Sequence, residues 1–97
     1  MEFSIRLTQS AIEDLDYFRM NERQIIADAI ALFLAEDANV ETRRRKPLRA
    51  NEISEWELRV GDFRVFYDFE AEVAVTVVAV GQKVHNELYI RGEKVEL

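Results

Sequence analysis

Two arginines and a glutamate stand close together in the sequence, around a tight turn that the sequence predicts. Arg59 and Arg64 lie on either side of Gly61-Asp62, and Glu57 shortly precedes Arg59. Arginine makes bidentate contacts to phosphate, and a glutamate beside it can act as a base. The alternative is a surface salt-bridge cluster, and on spacing alone this alternative is favoured.

A second candidate is the most basic stretch of the chain. Residues 43–49 contain five basic residues and no acidic one: Arg43, Arg44, Arg45, Lys46 and Arg49. Clustered arginine and lysine bind nucleic-acid phosphates electrostatically. A solvated loop that balances the nearby Glu36, Asp37 and Glu41 explains the same residues equally well.

Three further candidates, Lys83, His85 and Tyr89, follow the longest apolar run. Histidine titrates near neutral pH and is the commonest general acid or base, although a lone histidine is more often an ordinary surface residue. One histidine and no cysteine make a zinc site improbable, and three glycines cannot build a glycine-rich phosphate loop. The sequence therefore predicts neither a metal nor a cofactor.

A β-hairpin is predicted to position the two arginines, in the sequence WELRVGDFRVFY from Trp56 to Tyr67. Polar and apolar residues alternate along both arms, as in half-buried strands. Glycine at the first loop position predicts a type II′ turn at Gly61-Asp62, which pairs Arg59 with Arg64. Like charges directly opposite each other cost up to ~1 kcal/mol, so we expect a carboxylate or an anionic ligand to offset the pair.

Two helices are predicted before this hairpin. Ser10 has the form of a capping residue for a first helix that ends near Met20. Asn21 is expected to cap a second helix that runs to Asp37 or Ala38. So short a connection predicts an antiparallel helical hairpin.

The other predicted elements are strands. Alternation indicates a first strand over residues 2–8, whereas residues 39–50 are expected to be irregular around Pro47. Residues 73–80 are apolar on both faces, which is typical of a central strand, and Gly81 is expected to interrupt it. The end of the chain, residues 88–97, predicts two short strands joined by a turn.

These elements predict one α+β domain spanning residues 1–97, in the order β-α-α-β-β-β with a short C-terminal strand addition. We expect the helical hairpin to cover one face of an antiparallel-dominated sheet. The other face, which carries Glu57, Arg59 and Arg64, is expected to be open to solvent or to a ligand.

The net charge of −6 is unevenly distributed. Residues 1–42 contain three basic and nine acidic residues, so the basic stretch at 43–49 interrupts an acidic body. This distribution excludes a uniformly basic nucleic-acid binder but not a local basic contact surface. The absence of cysteines, of a signal peptide and of an apolar run long enough for a membrane span is compatible with a cytoplasmic protein.

The sequences WELRVGDFRVFYDF and VTVVAVGQKVH, followed by a tyrosine, resemble the RelE/ParE superfamily of type II toxin–antitoxin toxins. The resemblance covers residues 54–89, and the strand and helical hairpin before them agree in order and length. It implies a RelE-like fold and a cognate antitoxin protein as partner. Superfamily members include ribosome-dependent mRNA interferases, gyrase poisons and inactive relatives.

For an mRNA interferase, the resemblance implies a metal-independent endoribonuclease that inhibits translation, with the ribosome and mRNA as partners. The ribose 2′-OH attacks the adjacent phosphate and leaves a 2′,3′-cyclic phosphate. The residues carried over for catalysis are Glu57, Arg59, Arg64, Lys83, His85 and Tyr89. The cationic side chains would stabilise the scissile phosphate, the glutamate and histidine would exchange protons, and the tyrosine would stack on a base or assist proton transfer. The 43–49 stretch would contact rRNA.

Two departures from that pattern point to the other activities. Glu55 and Glu57 stand where the best-known RelE branch has lysines, and the body of the chain is acidic. A ParE-like toxin that binds DNA gyrase without cutting RNA is therefore the alternative, as is a non-toxic relative that only binds an antitoxin.

Overall fold

The computed structural model describes residues 2–97 and contains two helices and seven strands. In chain order these are β1 Ser4–Leu7, α1 Gln9–Asp16, α2 Met20–Leu34, β2 Arg45–Pro47, β3 Trp56–Val60, β4 Phe63–Ala71, β5 Ala74–Val84, β6 Glu87–Ile90 and β7 Glu93–Val95. The α+β class and the order of elements are confirmed. The strand β2 lies within the stretch predicted to be irregular, and that part of the prediction is wrong.

The strands form one sheet in the order β2-β3-β4-β5-β6-β7, with all of these neighbours antiparallel. The first strand, β1, pairs with β5 in parallel, through Ser4–Leu7 against Ala74–Val77. Both β1 and β6 use β5 as their neighbour, at different points along its length. The antiparallel-dominated sheet is thus as predicted, and β5 is its central strand.

Both helix starts differ from the prediction. The N-cap of α1 is Thr8, whose hydroxyl accepts from the Ala11 amide at 3.1 Å, and not Ser10. The first helix ends at Asp16, and the extended residue Arg19 precedes α2. Glu22 accepts from the Arg19 amide at 3.1 Å, so the carboxylate of Glu22, rather than the side chain of Asn21, begins the second helix. The early end of α1 lets Phe18 turn inward, where its ring meets Phe63 edge to face at 5.2 Å.

The register of the central hairpin is as predicted. Trp56 pairs with Tyr67, Glu57 with Phe66, and Arg59 with Arg64. Gly61 has φ +58, which is the left-handed value that the first loop position of a type II′ turn requires. One predicted turn therefore determined which residues of β3 and β4 share a face.

The main core lies between the helices and one face of the sheet. Its fully buried members include Ile26 and Leu34 from α2 and Leu58, Val65 and Tyr67 from the hairpin. Burying one aliphatic side chain of this size contributes ~1.5–3 kcal/mol. The Tyr67 hydroxyl donates to the carbonyl of Ala38 at 2.7 Å, so the one polar atom of this ring is satisfied.

The opposite face of the sheet is partly covered instead of open along its whole length, and this corrects the prediction. A second cluster there has Phe66, Ala79 and Leu88 as its buried members. The residues that pack on it come from the C-terminal strands and from the segment before β3: Leu48, Ile53, Val78, Ile90 and Val95. The C-terminal hairpin therefore covers apolar surface that the sheet would otherwise expose.

Gly81 does not interrupt the central strand, because β5 continues through it to Val84. A Cβ at Gly81 would lie 2.7 Å from the Tyr89 carbonyl oxygen and 3.0 Å from the side chains of Leu88 and Ile90. The glycine thus gives β6 room to approach, and it marks a close contact instead of a strand end.

No helix within residues 2–97 is long and apolar enough to cross a membrane.

Candidate functional site

The two arginines predicted to face each other do so, and a carboxylate lies between them. The Oε2 of Glu57 is 2.9 Å from Nε of Arg59, and its Oε1 is 3.9 Å from Nε of Arg64. Glu57 is only 4% exposed. The unfavourable arginine pair is therefore neutralised from within the sheet, by the residue directly opposite Phe66 on the same face.

The Arg64 side chain is held against the hairpin turn. Its Nη1 donates to the carbonyls of Gly61 and Phe63 at 2.8 and 2.9 Å, and 15% of the side chain is exposed. Burial lowers the pKa of Arg64 below its usual value; the charge of Glu57 opposes this effect and that of Arg59 adds to it. The structure thus fixes one guanidinium in a partly desolvated position with its outer edge toward a depression.

That depression is open and has a volume of about 450 Å³. Its charged and titratable lining comes from Asp62, Arg64, Lys83 and His85. Lys83 reaches it because Arg64 pairs with Gly81, and Lys83, two residues further along β5, points to the same face. His85 stands at the tip of the β5–β6 turn, exposed and with φ +51. Three of the residues predicted for catalysis therefore share one concave surface.

Tyr89 does not lie on this surface. It pairs with Gln82, and paired residues share a face, whereas the neighbouring Lys83 points the other way. The Tyr89 hydroxyl donates to Glu87 at 3.1 Å. Its ring lines a separate pocket with Tyr17 on the helix side of the sheet. The structure therefore separates the tyrosine from the arginines with which the sequence grouped it.

The basic stretch does not act as a unit. Arg45 donates to the carbonyls of Phe33 and Val40, both at 3.0 Å, and so stabilises the C-terminal end of α2 and the loop that follows it. The Arg44 guanidinium lies 4.7 Å above the Phe33 ring. Arg45 is thus used by the fold, while Arg44 packs on an aromatic ring at the surface.

The other basic residues of the stretch are more accessible. Lys46 is half-buried, pairs with Glu41 at 3.7 Å, and lies directly opposite Glu57 in the sheet. Arg43 and Arg49 are exposed, and no side-chain contact with a carboxylate within residues 2–97 involves either of them. A nucleic acid could reach these two from solvent without breaking an ion pair.

Two relationships escaped the sequence prediction. Lys46 joins the face of Glu57 only because β2 adds to the edge of the sheet, and nothing in the local pattern of RKP indicates a strand. Asp62 enters the depression from the hairpin turn, where its residue type was explained by the turn alone. The predicted register could have identified Asp62 as a lining residue, because it places the hairpin turn beside Arg64. Residues 2–97 contain no group of His, Asp and Glu side chains placed to hold a metal ion.

A protein-family model described as the ParE toxin of the type II toxin–antitoxin system parDE matches residues 5–86. The chain belongs to this ParE toxin family. The match spans both helices, the β3–β4 hairpin that carries Arg59 and Arg64, and β5, and it ends at the β5–β6 turn. The protein is therefore a toxin of a type II toxin–antitoxin system within the RelE/ParE superfamily, as the sequence resemblance implied.

One solved structure supports the fold of this ParE family member. The crystal structure of the toxin–antitoxin complex RelBE2 from Mycobacterium tuberculosis contains a chain that superposes with a TM-score of 0.69 at 21% identity. The superposition covers 86% of this chain and 100% of that one. No curated protein matches the sequence.

Proposed function

We propose that this ParE family member is a toxin that acts by binding a protein target, DNA gyrase being the target that the family implies, and that it does not cleave RNA. The observation that supports this most directly is the position of Glu57. Its carboxylate stands between the two guanidinium groups, where an RNA-cleaving relative would need the scissile phosphate. An anion that is already paired and buried leaves little room for a second one.

The requirements of proton transfer support the same proposal. A base for a ribose 2′-OH must come within hydrogen-bond distance of it. Glu57 is 4% exposed and directs its oxygens at Arg59 and Arg64, so it does not meet this requirement. Tyr89, the candidate for stacking or proton transfer, lies on the other face of the sheet.

A ribosome-dependent mRNA interferase is the second candidate, and the open depression favours it. Arg64 and Lys83 could there stabilise a phosphorane, and His85 could protonate the leaving 5′-oxygen. This reaction would leave a 2′,3′-cyclic phosphate on one fragment and a 5′-OH on the other. The exposed Arg43 and Arg49 would contact rRNA.

We also propose a cognate antitoxin as a partner. The matched chain from M. tuberculosis was solved as a toxin–antitoxin complex, and a type II toxin is held inactive by a bound antitoxin protein. Coupled folding of a disordered antitoxin segment would let it follow a large part of the toxin surface. Both candidate targets and such an antitoxin belong to the cytoplasm, where we propose that the protein acts.

Induced expression of the full chain, followed by three measurements on the same cells, tests the proposal. We expect growth arrest, loss of negative supercoiling in a reporter plasmid, and intact mRNA ends by primer extension. Purified chain should inhibit supercoiling by purified gyrase. New mRNA ends that appear only in translated frames would overturn the proposal in favour of the interferase, and the Arg64→Ala/Lys83→Ala variant should then abolish them. Harmless expression would instead identify a non-toxic antitoxin-binding relative.

A further inference from the structure

A second concave site lies on the helix side of the sheet, away from the arginines. It is a pocket of about 260 Å³ formed where the end of α1, the end of β5 and the C-terminal hairpin meet. Its lining residues are Tyr17, Phe18, Gln82, Val84, Tyr89, Arg91 and Gly92. Most of this lining is aromatic or aliphatic, and the volume suits one large side chain better than a cofactor.

Two salt bridges hold the floor of this pocket in place. Arg91 Nε lies 2.8 Å from Oδ1 of the buried Asp14, and its Nη1 lies 3.2 Å from Glu13. The other oxygen of Asp14 accepts from the Val80 amide at 3.0 Å. The turn that carries Arg91 is thereby tied to both α1 and β5, and the pocket is formed before any partner binds. Preorganisation of this kind lowers the entropy cost of association.

Exposed apolar side chains continue the pocket outward. Tyr17 is 57% exposed and Val84 is 41% exposed, and both line the pocket. Large apolar side chains grouped around a concavity are typical of a protein-interaction surface, where an aromatic anchor of the partner fills the pocket.

The charges around the rim restrict the partner further. Glu13 and Asp14 pair with Arg91 of the lining, Asp16 precedes Tyr17 and pairs with Arg23, and Glu87 pairs with Lys94 and accepts from the Tyr89 hydroxyl. Four carboxylates thus stand against three cations around the pocket, which leaves an excess of negative charge. A segment that brings an aromatic side chain here is therefore favoured if it carries lysine or arginine beside that residue.

The C-terminal hairpin supplies Tyr89, Arg91 and Gly92, and it lies beyond residue 86, where the family match ends. A pocket completed by residues outside the part that defines the family suits the partner that is particular to this chain. The cognate antitoxin proposed above is such a partner.

We propose that this pocket binds an aromatic side chain from a basic segment of the cognate antitoxin. The proposal rests on the antitoxin named as partner under the proposed function. It is independent of whether the toxin acts on gyrase or on mRNA, since it concerns a surface on the other side of the sheet from Arg59 and Arg64.

The test uses two valines of similar exposure at opposite ends of β5: Val84 is its last residue, and Val73 directly precedes it. Val84 (41% exposed) lines the pocket, and Val73 (43% exposed) lies at the β4–β5 turn. The probe is the purified product of the reading frame adjacent to the toxin's own, and its Kd for the full-length chain is measured by calorimetry. We expect Val84→Glu to weaken binding by at least about 30-fold, the loss of a central anchor, and Val73→Glu to change it by less than about threefold.

A second variant protects the result against misfolding. Tyr17→Ala removes an exposed wall of the pocket and should also weaken binding by about tenfold or more, with an unchanged melting temperature. Unaltered affinity in both pocket variants, or equal losses in Val84→Glu and Val73→Glu, would overturn the pocket assignment alone. If the wild-type chain does not bind the probe, the proposed antitoxin partner and the pocket assignment fail together, while gyrase inhibition remains measurable by itself.

Discussion

Nε of Arg59 lies 2.9 Å from a carboxylate oxygen of Glu57, two residues earlier on the same strand and the same face. This contact places a negative charge beside the one position in the sheet where two arginines stand directly opposite each other. The carboxylate of Glu57 thus offsets the repulsion between the two guanidinium groups, and the hairpin needs no external anion for this.

Glu57→Gln removes the charge and keeps the shape of the side chain. We expect the free energy of unfolding to fall by ~1–3 kcal/mol, less than for a fully buried ion pair because Arg59 is half-exposed. Urea denaturation measures the change.

The matched control is Glu55→Gln on the preceding exposed position, which should stay within ~0.5 kcal/mol. Added phosphate should raise the midpoint of Glu57→Gln more than that of the wild type, and identical midpoints in its absence would contradict this prediction.

The stability should depend on pH through Asp14. Burial raises the pKa of this carboxyl above its usual 3.8, despite the Val80 amide and the Arg91 charge, which lower it. The folded state then binds the proton more tightly than the unfolded chain. The contribution of Asp14 is therefore largest below about pH 4 and is lost as the pH rises through the folded-state pKa.

Asp14→Asn removes that dependence and keeps an oxygen for the Val80 amide. Its stability relative to the wild type should rise as the pH goes from about 4 to 7, measured as the difference in urea midpoints at each pH. Asp16→Asn, at an exposed neighbour paired with Arg23, serves as the control for removing a carboxylate from the same end of α1. A difference for Asp14→Asn that falls with rising pH would show that the ion pair with Arg91 outweighs burial.

The two glycines nearest the arginine pair, Gly61 in the turn and Gly81 opposite Arg64, should respond differently to substitution by asparagine. Gly81 has no room for a Cβ, so Gly81→Asn should cost ~1–3 kcal/mol or more through displacement of β6. Gly61 has open space around it, so Gly61→Asn meets no clash and should cost ~1 kcal/mol, through its positive φ alone. Thermal denaturation followed by circular dichroism compares the two. The reverse order would mean that the approach of β6 to β5 is looser than the structure shows.

The basic stretch should divide into structural and accessible residues. Arg45→Ala removes one hydrogen bond to Phe33 at the end of α2 and one to Val40 in the following loop, and it should lower the free energy of unfolding by ~1–2 kcal/mol. Arg43→Ala, an exposed neighbour, should change it by less than ~0.5 kcal/mol. Chemical denaturation measures both, and equal effects would remove the distinction.

Local patterns were enough for the parts of the fold that depend on neighbours in the chain. Gly61-Asp62 determined the register of five residue pairs, and the alternation of β3 and β4 identified the core face. The choice of Thr8 over Ser10 as a cap was not accessible in the same way. Both residues suit a helix start, and the difference lies in how β1 delivers the chain to β5, where Thr8 donates its amide to Val77.

The errors at the candidate site share a physical origin in contacts between distant residues. The face of Glu57 was expected to be open because the apolar residues that cover it, among them Leu88, are far away in sequence. Tyr89 was grouped with the arginines by its position in a motif, but its face depends on pairing with Gln82. Arg45 could not be told from its basic neighbours by sequence, because its acceptor, the Phe33 carbonyl at the end of α2, lies twelve residues earlier in the chain.

The parallel pairing of β1 with β5 has a consequence for biosynthesis. Among the strands that the structure describes, β1 pairs with β5 alone, and Ser4 meets its partner Ala74 only after the intervening chain has been made. At translation rates of ~5–20 residues per second, the first strand waits on the order of 4–14 seconds for its neighbour. The nascent chain therefore cannot complete its sheet until β5 has been translated, and β1 spends this interval without its strand partner.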